Sequence, residues 1–259
     1  MAVCCSGIPE TLCLSIGKVN FSVKIRSEMR EWLMGIMDDL RKSFHMQSRF
    51  LVFFLLTLCV TMAGCASFFP SVYQSGDLLI VDDFSSPNLE WNVWKRADGS
   101  TVGYYQEGLV FTINSQNTDY VSVLNSTYSD VRIETVARNL NGLLDNGFGV
   151  VCRYLDDSNY YAFLVSSDGY YGILRVLYGG YAVLNGGELQ YSSVIAPGEA
   201  TNHIRADCIG NQLTLYVNDV MLARVQDDVF SEGQIGLTAS SFRETGVAVL
   251  FENFVAVYP

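Results

Sequence analysis

From Leu78 onward, apolar and polar residues alternate with a period near two, and no 3.6-residue pattern interrupts them. The alternation predicts strands at Leu78–Phe84, Leu109–Ile113, Tyr120–Leu124, Val131–Ala137, Phe148–Tyr154 and Tyr160–Ser166. It predicts six more at Tyr171–Leu177, His203–Cys208, Leu213–Val217, Met221–Val225, Gln234–Ala239 and Val247–Val257. Turn residues punctuate them: Asp156-Asp157-Ser158-Asn159, Asp168-Gly169, Gly179-Gly180, Gly186-Gly187 and Gly210-Asn211. Asn218-Asp219, between LTLYV and VMLARV, reads as a two-residue hairpin turn. This spacing predicts an all-β domain over residues 78–259, an antiparallel sandwich or barrel. A domain of that length buries roughly 70% of its unfolded surface.

The pattern before residue 78 is different. Residues 50–64 read FLVFFLLTLCVTMAG, Arg49 precedes them, and no charge appears from Phe50 to Gly76. A positive start, an apolar run and small residues at its end describe a secretory signal. Met62-Ala63-Gly64-Cys65 resembles a bacterial lipobox, which would make Cys65 the lipidated first residue of the mature chain. An uncleaved signal anchor is the other reading, since the run can span a bilayer if extended to Phe69. Met46 opens this unit directly, so residues 1–45 read as a non-native or disordered extension with one amphipathic helical stretch, Glu28–Ser43. The expected organisation is extension 1–45, signal 46–64, tether 65–77 and sandwich 78–259.

Composition sharpens this division. The chain has 259 residues and a net charge of −11, with a pI of about 4.5 and a mean hydropathy of +0.21. Residues 1–64 hold 7 Lys and Arg against 5 Asp and Glu. That leaves 9 of the 16 basic and 22 of the 27 acidic residues, a net −13, to residues 65–259. So acidic a domain excludes nucleic acid as a partner, because binding it requires Lys and Arg set against phosphates. Seven Cys are too few for a disulfide scaffold.

Strand parity then sorts side chains by face. With Phe148, Val150 and Cys152 inward, Arg153 points outward. With Ile204, Ala206 and Cys208 inward, His203, Arg205 and Asp207 point outward. With Val131, Ile133 and Thr135 inward, Arg132 and Glu134 point outward. The outward set is Arg132, Glu134, Arg153, Arg205 and Asp207, with Tyr160 and Tyr170-Tyr171 as aromatic platforms. Arginine forks beside aromatic rings can grip hydroxyls and carboxylates of a sugar. The same residues can equally form cross-strand ion pairs on a solvated face. Cys152 and Cys208 fall on core faces, either as a disulfide or as two buried thiols.

Four stretches carry a family resemblance: IVDDFSS with a following Trp, GFGVVCRYLDDSNYYAFLVSSDGYYGI, NHIRADCIGNQLTLYVNDVML, and GQIGL…VLFENFVAV. Over residues 78–259 the chain resembles concanavalin A-like sandwiches, which implies an all-β, antiparallel two-sheet jelly-roll sandwich. It is most similar to the branch with 3-keto-disaccharide hydrolase-like domains of bacterial lipoproteins. The resemblance implies that the first and last strands pair. It also implies a glycan or other surface ligand, reached from an extracytoplasmic, membrane-anchored position through the lipid at Cys65.

Catalytic strings are weak by comparison. The Glu-x-Asp-x-x-Glu pattern of family-16 glycosidases does not occur. His203 is the one histidine after residue 65, too few for a zinc site with His and Cys ligands. Calcium needs clustered oxygens, and three acidic groups could supply them: Asp156-Asp157-Ser158-Asn159, Asp227-Asp228, and Asp82-Asp83 with Glu252-Asn253. Acidic turns are more commonly plain solvated hairpins. No other cofactor is expected. The leading expectation is therefore a non-catalytic carbohydrate-binding sandwich. The alternatives are a glycoside hydrolase, which needs a cleft with two convergent carboxylates, and a structural or adhesion module whose faces are closed by their own ion pairs.

Overall fold

The computed structural model describes residues 74–87, 90–106, 108–141 and 143–259, together with Met34 and Met37, two exposed helical positions. The expected signal and Cys65 lie outside the described residues. Sixteen strands follow in chain order: β1 (Leu78–Asp82), β2 (Trp94–Lys95), β3 (Thr101–Tyr104), β4 (Leu109–Ile113), β5 (Thr118–Tyr128), β6 (Val131–Asn139), β7 (Asn146–Asp156) and β8 (Asn159–Val165). They continue as β9 (Tyr170–Leu177), β10 (Gly180–Val183), β11 (Gln190–Tyr191), β12 (Asn202–Ile209), β13 (Gln212–Val217), β14 (Val220–Gln226), β15 (Gly233–Ser241) and β16 (Val247–Val257). All twelve predicted strands are present. β2, β3, β10 and β11 were not predicted, because two to four residues are too few to show a period.

Two antiparallel sheets form the sandwich. The nine-stranded sheet runs β14-β13-β12-β6-β16-β4-β3-β2, with β1 also on β16. The seven-stranded sheet runs β10-β9-β8-β7-β15-β5, with β11 also on β9. The expected pairing of the chain's first and last strands is present, from Leu78 opposite Val257 to Asp82 opposite Phe254. The Asn218-Asp219 turn joins β13 to β14 with both residues at positive φ, the geometry of a hairpin turn that matches strand twist.

The core lies between the sheets. Phe111, Ile133, Ile204, Leu215 and Phe251 meet Phe148, Phe163, Ile173 and Leu237, all fully buried. A disulfide between Cys152 on β7 and Cys208 on β12 ties the two sheets together. β6 alternates strictly between buried and half-exposed residues, as expected for a strand with one wet face. β7 and β8 are buried almost throughout. The reason is a second apolar cluster on the outer face of their sheet, formed by Val151, Tyr160, Ala162, Leu164, Leu174 and Val176. Gly149 and Gly236 lie on this face, and neither has room for a side chain. A Cβ would stand 1.9 Å from the Phe163 carbonyl oxygen or 2.1 Å from that of Ser122.

Candidate functional site

The outward set from parity does not form one face. Arg132, Glu134, Arg205 and Asp207 come together on the outer face of the nine-stranded sheet, in register across β6 and β12. Arg153 and Tyr160 belong to the other sheet.

Arg153 corrects the parity argument. A bulge in β7 sets two consecutive residues, Cys152 and Arg153, opposite Ile235 of β15, and Arg153 takes φ +51°. The extra residue turns Arg153 into the interior, where it is 1% exposed. Its guanidinium donates to the carbonyls of Ser129 (3.0 Å), Phe230 (2.8 Å) and Gly210 (2.5 Å), and Asp130 stands 3.7 Å away. Burial lowers its pKa from the ordinary arginine value. Arg153 therefore fastens three loops together and has no access to a ligand.

The group on the nine-stranded sheet is closed on itself. Asp207 accepts from Arg132 Nε at 2.9 Å, Arg205 Nε at 2.9 Å and Arg205 Nη2 at 2.6 Å. Burial alone would raise the Asp207 carboxyl, but the two guanidinium donors hold it below the usual carboxylate range. Arg205 also stacks over Tyr216 at 4.4 Å, and Glu134 faces His203 Nε2 at 3.3 Å. Each fork is used within the face.

The edge where β2 of the nine-stranded sheet meets β5 of the seven-stranded sheet is built differently. Trp91 is plugged into the core, where its indole N–H donates to Asp82 at 2.7 Å and its ring meets Phe254 edge-on at 4.9 Å. This anchor delivers residues 92–96 to the rim. Ser122 Oγ donates to the Asn92 carbonyl at 3.0 Å. The turn after β2 is fixed by Asp98, which accepts from Ser100 N–H at 2.9 Å and from the Ser115 hydroxyl. Trp94 stands edge-on to Tyr120 at 4.6 Å, and the Arg96 guanidinium lies over both rings, at 4.8 and 4.9 Å. Arg132, Arg138, Arg153, Arg175, Arg205 and Arg243 each face a carboxylate. Among the described residues, Arg96 and Arg224 have no such ion pair, and of these two Arg96 is the one stacked on aromatic rings.

Below Arg96 opens a cleft of about 190 Å³ lined by Asn92, Trp94, Asp119, Tyr120, Asp157 and Tyr160. Asp119 anchors its floor, accepting from Tyr160 Oη at 2.9 Å and Tyr181 Oη at 2.6 Å. Asp157 accepts from Tyr154 Oη at 2.5 Å, and Tyr154 packs against Tyr160 at 5.6 Å. Burial first, then the Asp119 charge, raises the Tyr160 phenol far above its ordinary value. The cleft thus presents fixed hydroxyls and carboxylates beside aromatic rings and a stacked cation. On the far side of Asp119 lies a second hollow of about 310 Å³, walled by Leu164, Leu174, Val183, Leu189 and Phe242.

Sequence reasoning named Tyr160 but missed Trp94, Arg96, Asp119 and Tyr181. Trp94 and Tyr181 sit on β2 and β10, strands too short to announce themselves. Of the two platform residues at 170–171, Tyr171 is buried with its hydroxyl on Gln190 and the Leu222 carbonyl, while Tyr170 is exposed beside Tyr191. Among the described residues no three His, Cys, Asp or Glu converge on a metal position. The proposed calcium partners have other work: Asp82 caps Phe84 N–H and holds Trp91, and Asp227 is held by Arg175 and Tyr161.

No protein-family model and no curated protein sequence matches the chain. Its structure is similar to that of solved proteins. A carbohydrate-binding module (CBM66) from Bacillus subtilis superposes with a TM-score of 0.50 at 17% identity, over 65% of this chain and 95% of the module. A protein of unknown function with a galectin-like fold, also from Bacillus subtilis, gives 0.54 at 10% identity over 72% of this chain and 98% of its own. The GH43 protein BlXynB from Bacillus licheniformis gives 0.54 at 12% identity, over 74% of this chain but only 41% of that enzyme. What the chain shares with them is the fold, a β-sandwich of two antiparallel sheets.

Proposed function

We propose that the domain binds carbohydrate without catalysis, in the cleft that runs from β2, the edge strand of the nine-stranded sheet, across β5 to Tyr160 on the outer face of the seven-stranded sheet. The observation that carries this reading is the Arg96 guanidinium stacked on Trp94 and Tyr120, with no ion pair, above a polar cleft. Sugars offer apolar C–H faces to rings and hydroxyl pairs to planar forks and carboxylates, and this arrangement matches both. The sequence before residue 78 supports an address for the domain. A signal ending at Cys65 would hold it on a short tether, as a lipoprotein of a bacterial cell envelope.

The test is a glycan array probed with the purified full chain, followed by titration of each hit. A restricted set of glycans should bind. Trp94→Ala should weaken binding about tenfold or more, as loss of an aromatic anchor does, and Arg96→Ala should weaken it by a smaller factor. Binding that ignores both changes, or that is lost instead on Arg205→Ala, would move the ligand off this cleft.

One observation favours hydrolysis as a second reading: Asp119 and Asp157 line the same cleft, as a pair of catalytic carboxylates would. Against it, both Asp119 oxygens already accept phenol hydroxyls. Prolonged incubation with each bound glycan decides this, and release of a shorter saccharide would establish the enzyme.

A further inference from the structure

The polar cleft and the apolar hollow are neighbours. Asp119 lines both, Tyr160 belongs to the first, and Tyr181 belongs to the second. The two phenols donate to opposite oxygens of Asp119, so a Tyr160–Asp119–Tyr181 ridge divides one groove into two chambers. The walls of the second chamber are hydrocarbon from β8, β9, β10 and the segment before β11. Leu164 and Leu174 are 7% and 8% exposed and form its base, while Val183, Leu189 and Phe242 are half-buried at its sides. Its rim is polar, with Asn117, Thr118 and Ser240 beside Asp119.

We infer that the groove takes an amphipathic saccharide. The sugar ring sits in the Trp94–Arg96 cleft, and an apolar substituent of the same molecule, an alkyl, acyl or aglycone group, fills the Leu164–Leu174–Val183–Leu189 chamber. The inference rests on the carbohydrate reading above. Two features select this occupant. About 310 Å³ suits a small-molecule group rather than a protein element. The chamber is also continuous with the polar cleft through a shared residue, so one ligand of modest length reaches both. Asp119, held by two phenols, keeps lone pairs at the junction for a sugar hydroxyl to donate to.

Each methylene moved from water into such a chamber strengthens binding about fourfold, and the freezing of chain rotors takes part of that back. The experiment titrates the full chain with methyl and n-hexyl β-glycosides of glucose, galactose, xylose, mannose and N-acetylglucosamine, below the concentration at which the hexyl compounds aggregate. For the sugar that binds, the hexyl form should bind at least about tenfold more tightly than the methyl form. Val183→Asp, on the short edge strand β10, should bring the hexyl-to-methyl ratio to about one, and Leu189→Ala should lower it part of the way. Trp94→Ala should weaken both compounds and leave the ratio in place. Methyl binding with no hexyl gain would overturn this inference and leave the carbohydrate reading standing. A hexyl gain that survives Val183→Asp would also overturn it, since the chain would then lie elsewhere. No binding of any methyl or hexyl glycoside would overturn both.

Discussion

The two outer faces of the sandwich hold similar residue types in opposite conditions. On the nine-stranded sheet, Arg132, Arg205, Asp207, Glu134 and His203 satisfy one another, and Asp207 alone receives three guanidinium N–H bonds. Over the outer face of the seven-stranded sheet, Asp119 and Asp157 line an open cleft, and Arg96 reaches its rim from the neighbouring edge strand β2, stacked on rings without a carboxylate. A dense cluster of charge is therefore a poor guide to a ligand. What distinguishes a site is hydrogen-bonding capacity held rigid and left over after the protein has met its own needs. The nine-stranded outer face has little left over, whereas the seven-stranded face has a hollow of hydrocarbon and, at its β2 border, a stacked cation.

The comparison can be broken at three points. The largest effect is expected at Arg153, which belongs to neither face. Arg153→Ala strands the Ser129, Phe230 and Gly210 carbonyls and should cost about 3–5 kcal/mol of stability. Denaturant unfolding measures this, and a loss under 1 kcal/mol would show that the three loops hold without it. Next, Asp207→Ala should cost about 1–3 kcal/mol, because two half-buried guanidiniums lose their acceptor. Glycan affinity should stay as it was. A variant that melts normally yet loses its ligand would reverse the roles of the two faces.

The smallest effect concerns pH. The native Asp207 carboxyl titrates below its unfolded counterpart near 3.9. The Asp207 pairings therefore contribute fully above about pH 4 and are lost as the pH falls through the lowered native value. Melting temperature followed from pH 6 to pH 2 should show this acid limb, and Asp207→Asn should flatten it. Glycan binding at pH 5 should be unaffected by that variant, which sharpens the separation of the faces.

Much of this fold could be read from alternation alone, because long strands with one wet face, such as β4 and β6, repeat their signal several times. The site was harder to read for two physical reasons. Trp94 and Tyr181 ride on strands of two and four residues, whose pairing is dictated by β3 and β9 rather than by their own pattern. Arg153 lies within a bulge, where the two-residue period breaks and parity no longer assigns the face. Only the juxtaposition of Gly233 hints at that bulge, since a Cβ there would stand 2.4 Å from the Arg153 carbonyl carbon. That contact comes from the fold and is invisible in the sequence.

The position of β16 has a consequence for the timing of folding. β16 pairs with β6 along one edge, while β4 and β1 share the other end to end, at Val247–Phe251 and Phe254–Val257. Without it, the nine-stranded sheet is three separate pieces: β14-β13-β12-β6 on one side, β4-β3-β2 on the other, and β1 alone. A chain emerging from its amino end therefore cannot close this sheet until residues 247–257 have been made. Every earlier strand must wait with its apolar side uncovered or in other keeping. A nascent chain halted at residue 246 should accordingly be a substrate for chaperones, and the last eleven-residue strand is the key that locks the whole.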